Sequence, residues 1–441
     1  MVPLIRLVPL ALSLLGQADV KEQARQFLEL CQTGKFTQAT ANFDAKMTSV
    51  LGPAQLEDLW KKLGQQLGPI EKMGPPRTDK VQSSTRVKIH CDFKNMPLDA
   101  LVSFNAQGQI EGFFLVPAEK TAEAAANAPE PSYADRSKFR EDQLTVGAPE
   151  WPLPATLTRP LGVTSPPLVV LVHGSGPNDR DETLGPNTPF RDLAHGLATR
   201  GIAVLRYDKR TFAHKQKLVK DGLHKTYTIK EEVLDDVLAT LTKARGLSGI
   251  DTNRLFVLGH SGGGSLAPLI AQRDGKLAGI ILMAASSRPM EEVLREQLQY
   301  VKTADADQSE AVTKIEKDVE KVFKGIKAGT ARDDETVLGA SVKYWKSWQT
   351  VDPARMAASI KGLPVLVLQG GRDYQSTQAD LERFRTALRG RPNTLFHLYP
   401  DLNHLFQKGK GKAVPKEYFQ PGSVDQRVIE DIVRWVRSIN K

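Results

Sequence analysis

The sequence predicts an α/β protein: a mostly parallel central sheet with a helical cap insertion, preceded by a small α+β domain. Two observations carry this expectation. Five continuous apolar runs, "PPLVVLVHG", "GIAVLRYD", "NRLFVLGHS", "LAGIILMAA" and "LPVLVLQGG", each end in a polar or glycine-rich loop, and most are separated by helical segments. Strands that are apolar on both faces and alternate with helices belong to a parallel sheet covered on both sides. Ahead of these runs, helical patterns give way to three short strand patterns, the arrangement of a separate α+β domain.

Taken in order, residues 1–18 read as an export signal. One positive charge in residues 1–6 precedes an apolar stretch over 7–15, too short to span a bilayer, and Gly16-Gln17-Ala18 suits cleavage after Ala18. The protein is therefore expected to be secreted or periplasmic, a buried N-terminal helix being the alternative. No other stretch is long and apolar enough to predict stable membrane insertion. Residues 19–118 form the small domain. Val20, Ala24, Phe27, Leu28 and Cys31 recur at helical spacing, 56–67 is a second helix, and 85–93, 98–105 and 109–116 read as strands. Residues 119–135, "EKTAEAAANAPEPSYAD", read as a linker. The larger domain follows over 136–441. Its charged helical stretch at 288–350 predicts a cap between two sheet strands, or else ordinary crossover helices.

Composition narrows the function classes. Of 441 residues, 40% are hydrophobic and 25% charged, as in ordinary globular proteins. The net charge of +9 is spread along the chain with no basic stripe interleaved with aromatics, so nucleic acid is not an expected partner. The two cysteines, Cys31 and Cys91, either pair after export or remain buried free thiols. No Cys/His cluster has zinc spacing, and no metal or cofactor is expected.

The chemistry concentrates at strand ends. Gly259-His260-Ser261-Gly262-Gly263 fits G-x-S-x-G between an apolar strand and a helical run, the context of a nucleophile elbow. A serine hydroxyl needs a base, itself oriented by an acid. Of eight histidines, only His397 and His404 follow Ser261. His397 lies inside a strand pattern, whereas His404 sits in the loop after it and is the candidate base. Asp373, just after "LPVLVLQGG", is the candidate acid; Asp380, Glu382 and Asp401 are weaker choices. An oxyanion site needs backbone N–H groups. Gly262 supplies one and Ser175, in His173-Gly174-Ser175-Gly176, the other, with His173 orienting that loop. Tyr344, Trp345 and Trp348 either line a substrate pocket or anchor the cap. Asp208 and Arg210 read as an ion pair, and "NDRDE" at 178–182 as a structured rim loop.

These four motifs, in this order over about residues 140–441, resemble the α/β-hydrolase superfamily. The similarity is greatest to bacterial esterases whose oxyanion segment reads like "HGSGPNDRDETLGPNTPFRDLAHGLATRGIAVLRYDKRT". The resemblance implies a serine esterase with Ser261, Asp373 and His404 as its triad, a small-molecule ester substrate and no cofactor. Short-chain acyl esters are the leading substrate expectation. A peptidase, a thioesterase or an acyltransferase could use the same fold, and a homo-oligomer stays open. Residues 19–118 resemble a small bacterial domain of cystatin-like or nuclear-transport-factor-like type.

Overall fold

The structure, a computed structural model, describes residues 19–81, 84–94, 97–118, 130–304 and 309–439. The export segment expected over 1–18 lies outside them. The chain divides into two compact units, Met1–Glu119 and Lys120–Lys441.

In the first unit, helices Val20–Gln32, Phe36–Ala39, Ala45–Val50 and Pro53–Leu67 precede strands β1 (Ile70–Met73), β2 (Arg77–Val81), β3 (Ser84–Phe93), β4 (Pro97–Phe104) and β5 (Ile110–Pro117). The antiparallel order is β1-β3-β4-β5, with β2 also pairing β3. Asp19 starts the first helix by accepting from the Lys21 N–H. Along β3, Val87, Ile89, Cys91 and Phe93 turn inward at every second position, onto Phe27 and Leu28 of that helix. That alternation made β3 to β5 readable. Strand β2 is exposed throughout and carries no such signal. Cys31 and Cys91 are both buried free thiols in this core, so the pairing alternative is not realised. Burial pushes each thiol up to about 12.

The second unit is built on eight strands: β6 (Phe139–Val146), β7 (Leu153–Pro160), β8 (Pro167–Val172), β9 (Ala203–Tyr207), β10 (Asp251–His260), β11 (Gly279–Met283), β14 (Val365–Gly370) and β15 (Thr394–Tyr399). Their order is β15-β14-β11-β10-β8-β9-β7-β6. Only β7 runs against the rest, pairing antiparallel with both β9 and β6. Every residue of β8 is buried. Val169 and Leu171 face a core shared with helices Pro189–Ala198 and Gln426–Ser438. Val170 and Val172 face the opposite core, shared with Asp235–Ala244, Gly262–Asp274 and Gln378–Ala387. Between β11 and β14 lie helices Met290–Ala304 and Ser309–Ala328, a hairpin of β12 (Thr336–Val337) and β13 (Ala340–Ser341), and helix Val342–Trp348.

The linker expectation needs correction at its end. Residues 119–129 lie outside the described residues, but 130–135 are docked. Tyr133 Oη donates to Val424 O at 2.7 Å, and Glu130 Oε1 lies 2.6 Å from Nδ1 of the buried His195. These partners lie far along the chain, and an Ala- and Pro-rich composition does not reveal them.

Candidate active site

Strand β10 ends at His260, helix Gly262–Asp274 begins at Gly262, and Ser261 makes the turn between them. Its φ of 54° and ψ of −120° lie outside the regions comfortable for an L-residue, at a cost of about 1–3 kcal/mol. The surroundings hold it there: Ser261 N–H donates to Met283 O at 2.9 Å. The flanking glycines are required by close approach. A Cβ on Gly263 would sit 2.3 Å from Val172 O, and one on Gly259 would sit 2.2 Å from Gly263 O.

Asp373 follows β14 and is fixed on both oxygens. Oδ1 accepts from the N–H groups of Gln375 at 2.7 Å and Ser376 at 3.1 Å. Oδ2 lies 2.7 Å from His404 Nδ1 and accepts from Gln369 Nε2 at 3.3 Å. His404 stands in the loop after β15, which Asn403 braces by accepting from Leu405 N–H and Gln407 N–H. With Nδ1 turned to Asp373, Nε2 is left to accept a proton. The His404 ring is tilted at 47° to that of His260, the residue before Ser261, with centroids 4.8 Å apart. Among the described residues no hydrogen bond joins His404 to Ser261 Oγ, a looseness common before substrate binds.

Gly262 is the first residue of its helix, so its N–H has no partner within the helix and lies at the positive end of the helix dipole. A Cβ on Gly262 would lie 3.4 Å from Ser175 N, so the two candidate oxyanion donors belong to residues packed against each other. The Gly174-Ser175 loop is anchored from three directions. Gly174 N–H donates to Glu182 Oε1 at 2.7 Å. Asn178 Nδ2 donates to the carbonyls of Gly174, Ser175 and Gly176. Lys209 Nζ donates to Gly174 O at 2.9 Å and pairs with Glu232 at 2.7 Å.

Glu182 Oε2 also lies 2.8 Å from His260 Nδ1, off hydrogen-bond alignment, and His260 Nε2 donates to His404 O at 3.0 Å. Burial alone would raise the Glu182 carboxyl and lower the His260 imidazole. Their mutual attraction outweighs it, holding Glu182 below and His260 above its ordinary value. The buried Glu182–His260 pair thus ties the oxyanion loop to the elbow and to the His404 loop.

The surroundings of the remaining candidates are equally specific. The 178–182 stretch is a structured loop, as expected. Besides Asn178 and Glu182, Asp179 accepts from Thr183 N–H, Arg180 grips Asp208, and Asp181 pairs with Arg206. Asp208 and Arg210 do not pair with each other. Asp208 accepts from Arg180 through three hydrogen bonds, while Arg210 turns to Asp236. The chain turns from strand to helix between them, which separates the two side chains. His173 is packed between the rings of Phe190 and Tyr207. Tyr344, Trp345 and Trp348 are buried in the main apolar core, where Trp345 packs on Phe323 and donates to Val337 O. That packing fits the anchoring alternative. Of the weaker acids, Asp380 pairs with Arg288, Asp401 with Arg427 and Glu382 with Arg385, while His397 lies 3.5 Å from Asp431. Sequence reasoning missed Glu182, Asn178 and Lys209 as supports of the site. The one available signal was the unusual density of charge directly after the His173-Gly174-Ser175-Gly176 loop.

Two family models match the chain: "Serine aminopeptidase, S33" over residues 167–408, and "Protein of unknown function (DUF3887)" over 24–113. Esterase EstD of Thermotoga maritima is 35% identical over 416 residues, covering 94% of this chain and 95% of its own. Among solved structures, Est1E from Butyrivibrio proteoclasticus is similar at TM-score 0.45 and 16% identity, over 67% of this chain and 99% of its own. A Mycobacterium tuberculosis puromycin-hydrolyzing peptidase is similar at TM-score 0.45 and 17% identity, over 84% of this chain and 48% of its own. By the family match and by the similarity along nearly its whole length, the chain belongs to the α/β-hydrolase superfamily, in the serine hydrolase family S33.

Proposed function

We propose that the protein is a serine carboxylic-ester hydrolase acting on short-chain acyl esters. Ser261 Oγ attacks the ester carbonyl while His404 Nε2 takes its proton. Asp373 holds the imidazole and stabilises its cation, and the Ser175 and Gly262 N–H groups receive the oxyanion. The tetrahedral species expels the alcohol, protonated by His404, and leaves the acyl group on Ser261. Water, deprotonated by the same histidine, then releases the acid. The observation that carries this reading is the buried Asp373–His404 hydrogen bond of 2.7 Å beside a serine held at positive φ. Similarity to Esterase EstD supports the ester rather than the amide as substrate.

The test is steady-state turnover of 4-nitrophenyl acetate. Ser261→Ala should lower kcat by about 10⁴-fold or more; near-normal turnover would overturn the assignment. The family's description as an aminopeptidase favours one second reading, a peptidase on the same triad. Aminoacyl amides turned over as fast as esters would select it.

A further inference from the structure

The Gly174 carbonyl and the Ser175 N–H are the two ends of one peptide unit. No peptide bond among the described residues is cis, so this unit is trans and its two ends point in opposite directions. Whatever holds the carbonyl therefore aims the N–H. Here the carbonyl is held by a cation: Lys209 Nζ donates to it at 2.9 Å, and Asn178 Nδ2 adds a second donor at 3.2 Å. Lys209 is only 3% exposed. An ammonium buried that deeply needs a counter-charge, and Glu232, 4% exposed, supplies it at 2.7 Å. Glu232 sits in the π-helical turn Lys230–Leu234, a one-residue irregularity at the start of helix Asp235–Ala244. Such turns re-aim side chains and cluster at functional sites. A continuous buried chain thus runs Glu232, Lys209, Gly174 carbonyl, Ser175 N–H.

Resting on the esterase reading above, we infer that Lys209 is a positioning residue for the oxyanion site, clamping the Gly174–Ser175 peptide so that the Ser175 N–H points at the developing alkoxide. Two effects act in the same direction. The clamp fixes the orientation of the donor before substrate arrives, so no reorganisation is needed in the transition state. A full positive charge on the carbonyl oxygen also polarises the peptide and makes its N–H a stronger donor. Glu232 keeps the ammonium in place without competing for the carbonyl, because it is itself an acceptor.

The experiment compares wild type, Lys209→Met and Lys209→Met/Glu232→Gln. The double variant removes both buried charges, so it avoids leaving a carboxylate unpaired. Readouts are kcat and KM for 4-nitrophenyl acetate and the inhibition constant of an aryl trifluoromethyl ketone, whose serine adduct carries an oxyanion. Lys209→Met and the double variant should lose about 10- to 100-fold in kcat with KM nearly unchanged, and the ketone should weaken by the same factor. A folded variant with wild-type kcat and ketone affinity overturns the clamp. So does a fall in kcat without a matching loss of ketone affinity, since the effect would then not pass through the oxyanion site. Ser261→Ala is run alongside. If it stays active the esterase reading fails, whereas an inactive Ser261→Ala with wild-type-like Lys209 variants removes the clamp alone.

Discussion

Asp192, on helix Pro189–Ala198, is a carboxyl that the fold keeps from ionising easily. Burial pushes it up to about 7; Glu130 and Asp181 add to the rise, while the Val424 N–H and Arg191 oppose it. Its ordinary value is 3.8, so between about pH 4 and 7 the folded protein binds more protons at this site than the unfolded chain. The stability it contributes is therefore complete below about pH 4, declines as pH rises, and is gone above about 7. Asp192→Asn removes that slope. In urea unfolding at pH 5 and pH 8, the variant should lose about 2 kcal/mol less than wild type on going to the higher pH. Ser261, Asp373 and His404 were legible in the sequence because each is tied to a strand end and their order along the chain is constrained. Glu182, Lys209 and Glu232 were not, since their roles arise from contacts that cross between separate elements. An acid in a polar loop and a lysine after a strand look the same whether they are solvated or buried.

At the scale of elements, continuous apolar strands were read correctly because burial on both faces leaves no polar register to confuse with a helix. Hairpin β6–β7 escaped notice for the opposite reason. Strand β6 keeps polar residues at most positions, and its partner reads "LPATLTRP", with a proline near each end. The inserted helices were legible as helices, but not the direction in which their aromatic residues face. Trp345 packs on Phe323 and Tyr344 while its indole N–H reaches Val337 O, so it pins helix Val342–Trp348 to both Ser309–Ala328 and the β12–β13 hairpin. Trp345→Ala should destabilise the protein by about 3–5 kcal/mol. Thermal or urea denaturation of the two proteins would read the difference.

The described residues form three large apolar clusters. Two lie on opposite faces of the eight-stranded sheet, and the third belongs entirely to the first unit. No residue is shared between the third and the other two, so each unit has the means to hold itself together. What the sequence could not show is where the second unit starts. Composition puts the end of the connecting stretch at residue 135, whereas among the described residues contacts are already made at Glu130. Anyone trimming the chain to its hydrolase portion meets this boundary directly. A fragment starting at residue 130 retains the Tyr133 hydroxyl on Val424 and both carboxylates around His195, Glu130 at 2.6 Å and Glu141 at 3.0 Å. One starting at 136 uncovers the Ile429 side of helix Pro189–Ala198, where Tyr133 lies against Gly196, and leaves a fully buried imidazole with one partner instead of two. The shorter fragment should be less stable by about 2 kcal/mol and the longer one should match the parent transition, as paired urea titrations would read. Six residues that look like tether are thus part of the enzyme's outer wall.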